Sequence, residues 1–159
     1  MNTKMPYANK MKRHAATGLF VVGSVLAAPA FAGQGNFIKV PSRHGFVGTV
    51  RALKEAVAHN NMMVMGRVNQ SKVLAMTGLH LQGEAFLVGN PVMGKKAFSM
   101  DPAAGAVLPA RIYVWTQSHR TYVGYFEPSA LLTQVSPSLG MMGGMLNKKF
   151  GMVAQQATE

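Results

Sequence analysis

The feature that most restricts how this chain can fold is a short apolar run closed by backbone breakers. Ala85-Phe86-Leu87-Val88 is continuous and uncharged, and Gly89-Asn90-Pro91 follows it directly. An apolar run of this length between breakers reads as a central strand buried on both faces. Glycine admits unusual backbone angles and proline drives the residue before it out of the helical region, so the run stops abruptly. Apolar sequence resumes after Leu108-Pro109 as Ile112-Tyr113-Val114-Trp115.

The amino-terminal residues read as an address rather than as structure. Lys10, Lys12 and Arg13 precede the uncharged apolar stretch Ala15 to Leu26, and Ala30-Phe31-Ala32 supplies the small-x-small pattern read by signal peptidase. Residues 1–32 are therefore expected to be a signal peptide cut before Gly33, with Met11 as an alternative start. A retained anchor would need about 20 apolar residues, more than Ala15 to Leu26 offers. The expected product is periplasmic or secreted, and soluble. The chain has no cysteine, which excludes a lipidated cysteine and leaves stability to packing, although export would permit disulfides.

Removing Lys4, Lys10, Lys12 and Arg13 from the 16 Lys and Arg leaves 12 against 5 acids, a net charge of +7 for the remainder. Such a surface suits nucleic acid, anionic lipid or an acidic partner. Export and the lack of a zinc-finger, RNA-recognition or homeodomain signature argue against nucleic acid. An anionic membrane surface stays among the candidate partners.

Taken in order, Phe37 to Val40 reads as a first strand ended by Pro41. A helix is expected from about His44 to Asn60, with Phe46, Val50, Leu53 and Val57 on one apolar stripe and Arg51, Lys54 and Glu55 opposite. Met62 to Val68 alternates as a half-buried strand, with Met62, Val64 and Val68 on one face and Met63, Met65 and Arg67 on the other. Short helices are expected over Gln70 to Met76 and Gly94 to Met100, with Ala103 to Ala106 as a loop. Ala110 to Thr116 and His119 to Phe126 read as an aromatic-rich hairpin turning at Gln117-Ser118. Pro128 ends the hairpin, Ser129 can cap a short helix, and Pro137 precedes a last segment, Leu139 to about Gln155. The expected layout is a domain over 33–136 and a Met/Gly-rich, helical carboxy-terminal segment over 137–159.

Several landmarks together resemble the DUF302 family. They are Val50-Arg51-Ala52-Leu53-Lys54-Glu55-Ala56, Met63-Val64-Met65-Gly66-Arg67-Val68, Gly89-Asn90-Pro91 followed by Gly94, Leu108-Pro109 before Ile112 to Trp115, and Tyr122-Val123-Gly124-Tyr125. The resemblance spans about Phe37 to Gln134. It implies a single compact α+β domain, helices packed on a curved and mainly antiparallel sheet, often paired as a homodimer, with no settled biochemical role. Relatives tend to carry Asp-His where this chain has Asn69-Gln70, and Asp where it has Val107. Those positions are the family's best candidates for a polar or metal-binding cluster, which this chain lacks.

The residue pattern offers little for catalysis. Glu55, Glu84, Asp101, Glu127 and Glu159 are the acids, and no two stand at a pairing distance in sequence. No serine lies in a Gly-x-Ser-x-Gly elbow. His44, His59, His80 and His119 are too scattered for a metal motif. An enzyme with an unrecognised site remains a distant alternative. Asn90, at the end of a buried strand, can anchor a ligand by hydrogen bonding or can hold its own turn. Tyr113, Trp115, Tyr122 and Tyr125 of the hairpin complete the candidate ligand-binding set.

Methionine is the compositional outlier, with 13 in the chain. Soft thioethers select Cu(I), so Met141, Met142 and Met145 form an alternative copper site; methionine also fills irregular gaps in cores and contact surfaces. Leu139, Met142, Leu146, Phe150 and Val153 make an apolar stripe that can dock on a membrane, a partner, or the chain's own domain. Gly140, Gly143, Gly144 and Gly151 weaken this segment as a free helix, so it needs a surface to fold on, and its own domain or a dimer partner is the favoured one. The function expected from sequence is a non-catalytic binding or interaction module without a cofactor.

Overall fold

The computed structural model describes residues 36–159; the expected signal peptide lies outside them. The elements are β1 (Phe37–Pro41), α1 (Phe46–His59), β2 (Met63–Asn69), α2 (Gln70–Ala75), β3 (Gly83–Gly89), α3 (Pro91–Met100), a 3₁₀ turn (Pro102–Ala106), β4 (Ala110–Gln117), β5 (Arg120–Phe126), α4 (Pro128–Val135), a second 3₁₀ turn (Pro137–Leu139) and α5 (Gly140–Thr158). The strands form one antiparallel sheet in the order β1-β5-β4-β3-β2. This is an α+β domain. The apolar run from which the sequence was read lies in β3, an inner strand as expected.

Cross-strand partners share a face, so the register sorts the residues. Ile38, Val40, Phe86, Val88, Ile112, Val114, Val123 and Tyr125 lie on one face, which α1 and α5 cover. Phe37, Lys39, Leu87, Tyr113, Trp115, Tyr122 and Phe126 lie on the other. The even alternation expected for β2 breaks at Met65, where Val64 pairs with Val88 but Gly66 already pairs with Leu87. This bulge inserts one residue and reverses the faces beyond it. Arg67 therefore joins the side of Phe86, and Val68 turns to the open face, 44% exposed.

Three boundaries move for local reasons. Helix α3 begins at Pro91 rather than Gly94, because Asn90 is its N-cap and Pro91 its first residue. The hairpin turns at Ser118-His119, with φ of 51° and 63°, rather than at Gln117-Ser118; two successive left-handed residues fit the twist of the flanking strands. The loop expected at Ala103–Ala106 is a 3₁₀ turn capped by Asp101.

The carboxy-terminal segment is part of the same core. Leu139, Met142, Leu146, Phe150 and Val153, the stripe read from the sequence, are all buried. Gly143 lets α5 approach α4 closely, since a Cβ there would run into the backbone of Ser129. Asn147 of α5 serves the amino-terminal turn of α4: its Oδ1 accepts from Ser129 N at 2.9 Å and its Nδ2 donates to Ser129 Oγ at 2.7 Å. Ser129 was expected to cap α4; it receives the cap instead. Lys149 Nζ donates to the Asn60 carbonyl at the end of α1, at 2.9 Å. The glycines that weaken an isolated helix here permit packing, and α5 folds upon its own domain.

Candidate functional site

The two breaker motifs, separate in sequence, meet in space. Gly89-Asn90-Pro91 at the end of β3 and Leu108-Pro109 before β4 line one cleft, closed from below by Met142 and Leu146 of α5. Its volume is about 220 Å³. Met65 at the bulge, Met93 and Phe98 of α3 complete the apolar wall, and Lys95 is the charged residue among the lining groups. A Cβ on Gly89 would be a tight fit, 3.1 Å from Met65 Sδ and 3.3 Å from Pro109 Cβ.

Asn90 lies on the rim with both ends of its amide committed. Oδ1 accepts from Met93 N at 3.0 Å, and Nδ2 donates to the Asn61 carbonyl at 2.6 Å. Asn61 holds a left-handed φ of 54°. Asn90 thus ties the start of α3 to the turn between α1 and β2. Its amide shapes the wall of the cleft and is engaged by the protein itself.

The four aromatic candidates divide. Tyr113, Trp115 and Tyr122 stand in a stack on the open face, with centroid separations of 5.4 Å for each neighbouring pair. Lys39 Nζ closes the end of the stack, 4.0 Å from the Tyr122 centroid. Phe37 leans on Trp115 at 6.1 Å and on Phe126 at 5.1 Å. Tyr125 lies on the opposite, helix-covered face, edge-on to Phe150 at 5.4 Å; alternation along β5 separates it from Tyr122. Burial raises the Tyr125 hydroxyl above its usual pKa, and Glu127 adds to the rise. Burial alone raises that of Tyr113.

Three of the acids hold structural positions. Glu84, 3% exposed, pairs with the Arg67 guanidinium across β2 and β3. The bulge makes this pair, so a strictly alternating reading of β2 misses it. Asp101 accepts from Ala103 N at 2.9 Å, and Glu127 from Asn36 Nδ2 at 2.9 Å. Among the described residues no three His, Cys, Asp or Glu gather as a metal site. His80 and His119, far apart in sequence, line one shallow hollow at the hairpin tip.

The family model described as a domain of unknown function, DUF302, matches residues 38–150. The chain belongs to the DUF302 family. The crystal structure of an uncharacterized conserved DUF302 protein from Bacillus stearothermophilus is similar, with a TM-score of 0.72 and 18% identity over 76% of this chain and 97% of that one. At that identity the likeness speaks for the fold. No curated protein matches.

This DUF302 domain divides its methionines by location. Met142 is buried and lines the cleft, whereas Met141 is 85% and Met145 53% exposed, so the three considered for copper differ in their surroundings. It brings Met65, Met93 and Met142 to one cleft instead. These come from three elements, and their grouping has no signature in sequence spacing. Of the positions where relatives tend to carry Asp-His and Asp, Asn69 caps α2 by accepting from Lys72 N at 3.0 Å. Gln70 lines a hollow with Arg111 and Tyr113, and Val107 packs against the core.

Proposed function

We propose that this DUF302 domain is an exported, non-catalytic binding module that takes a small apolar ligand into the cleft beside Asn90. One observation carries the reading: the cleft of about 220 Å³ has apolar walls and no carboxylate, imidazole or hydroxyl side chain among its lining residues. Sites for small molecules are concave and mostly apolar, with few polar groups. The one titratable side chain in the lining is the exposed Lys95, with no acid or base partner beside it, so such a site suits retention of a ligand better than paired acid–base chemistry. Export rests on the leader-like sequence ending at Ala32.

Gly94 offers a test. It lines the cleft on α3, and a Cβ there would meet Phe98 Cε2 at an ordinary 3.7 Å. Gly94→Leu should fill the space without straining the backbone. Native mass spectrometry of the exported protein should find a small-molecule adduct on the wild type that Gly94→Leu loses. An adduct equally abundant on both, or none on either together with no uptake of 1-octanol, would count against the proposal.

The grouping of Met65, Met93 and Met142 favours a second reading, a Cu(I) site built from thioethers. Titration of Cu(I) against a competing chelator decides it. Replacing these three by leucine should abolish binding, and unchanged affinity would remove copper from consideration. For a partner, this reading assigns a second copy of the chain to the open face. The family resemblance and the exposed Phe37, Phe126 and Val68 support that assignment. Sedimentation of the wild type and of Phe126→Ser should show a dimer weakened by the substitution.

A further inference from the structure

We infer that the ligand of the cleft is a small amphiphile with an anionic head, its apolar body inside and its head against Lys95. This inference rests on the apolar-cleft reading above and specifies the chemistry of the occupant. The apolar walls set the requirement for the body. The cleft volume of about 220 Å³ limits that body to a small one.

The head is assigned by charge. Lys95 lines the cleft, is exposed, and has no carboxylate beside it: no acid lines the cleft, and the ion pair found among the described residues is that of Arg67 with Glu84. The cleft borders the start of α3, with Asn90 and Pro91 in its lining. A neutral ligand would fit the walls but gain nothing from Lys95. A cation, Cu(I) included, would enter beside a like charge with no counter-charge in the lining. The favoured class is a monoanion of medium length, such as a short-chain carboxylate.

Calorimetric titration with octanoate, 1-octanol and octylammonium at low and physiological salt tests the inference. Octanoate should bind about threefold to fivefold tighter than 1-octanol at low salt, the range expected of an exposed charge pair, with octylammonium weakest. Lys95→Gln should bring octanoate and octanol to the same affinity, and added salt should do the same in the wild type. Gly94→Leu should abolish binding of all three. Equal affinity for octanoate and octanol in the wild type, or a preference for the ammonium, would overturn the anionic head and leave the apolar cleft standing. Failure of all three to bind would overturn both.

Discussion

The cleft at the end of β3 and the aromatic stack on the open sheet face are built on opposite plans. On the open face, large side chains meet one another: Tyr113 stacks on Trp115, Trp115 on Tyr122, and Lys39 closes the series. Even the small residue between them is in use, since a Cβ on Gly124 would stand 2.7 Å from Phe37 Cζ and 2.8 Å from Trp115 Cζ3. At the cleft, glycine, proline and flexible methionine stand where β3 ends, β4 begins and α3 starts, and the walls enclose unfilled space. Aromatic residues on a surface invite a binding interpretation, but these rings are largely partnered already. Breakers invite a purely structural interpretation, yet here they leave the room.

The contrast can be tested by substitution. Phe150→Ala, beneath the sheet against Tyr125, should cost about 3–5 kcal/mol in chemical denaturation, the penalty for emptying a core aromatic site. A much smaller loss would move Tyr125 out of the core and back towards the surface candidates. Asn90→Ala should cost about 1–3 kcal/mol, because it removes the cap of α3 and unpairs the Asn61 carbonyl. If stability were unchanged, Asn90 would be free to serve a ligand. Gly124→Ala should cost about 1–2 kcal/mol by forcing Phe37 and Trp115 apart, and should shift the fluorescence of Trp115, the chain's single tryptophan. An unchanged spectrum would contradict the tight packing of that face. Lys39→Ala should have the smallest effect, about 0.5–1 kcal/mol, as expected of an exposed cation over a ring. Thermal melts of this variant should show a small drop that salt does little to hide.

Much of the fold was legible in the residues. The β3 run with its breakers, the stripe Phe46, Val50, Leu53 and Val57, and the stripe from Leu139 to Val153 follow from periodicity and burial. What was not legible depends on contacts across the chain. The bulge at Met65 is set by pairing with Val88 and Leu87, so alternation alone assigned Arg67 to the wrong face and hid its meeting with Glu84. Asn147 caps α4 from a helix that has to be docked before it can reach Ser129. The candidate site was partly legible: the breakers and Asn90 marked its corner, while Met142 was named for copper and for the apolar stripe of α5 and not for this cleft. Met65 comes from β2, whose meeting with α3 and α5 only packing decides, and of the two roles open to Asn90 its hydrogen bonds support the one that holds the turn.

The most direct test labels the methionine methyl groups with carbon-13 and follows their NMR signals as octanoate is added. The account predicts that Met65, Met93 and Met142 move together and saturably, while Met63, Met141 and Met145 stay where they are. Saturable shifts confined to the exposed methionines, or a response of the Trp115 indole with the cleft methyls unmoved, would contradict it and return the binding site to the aromatic face or the exposed side of α5.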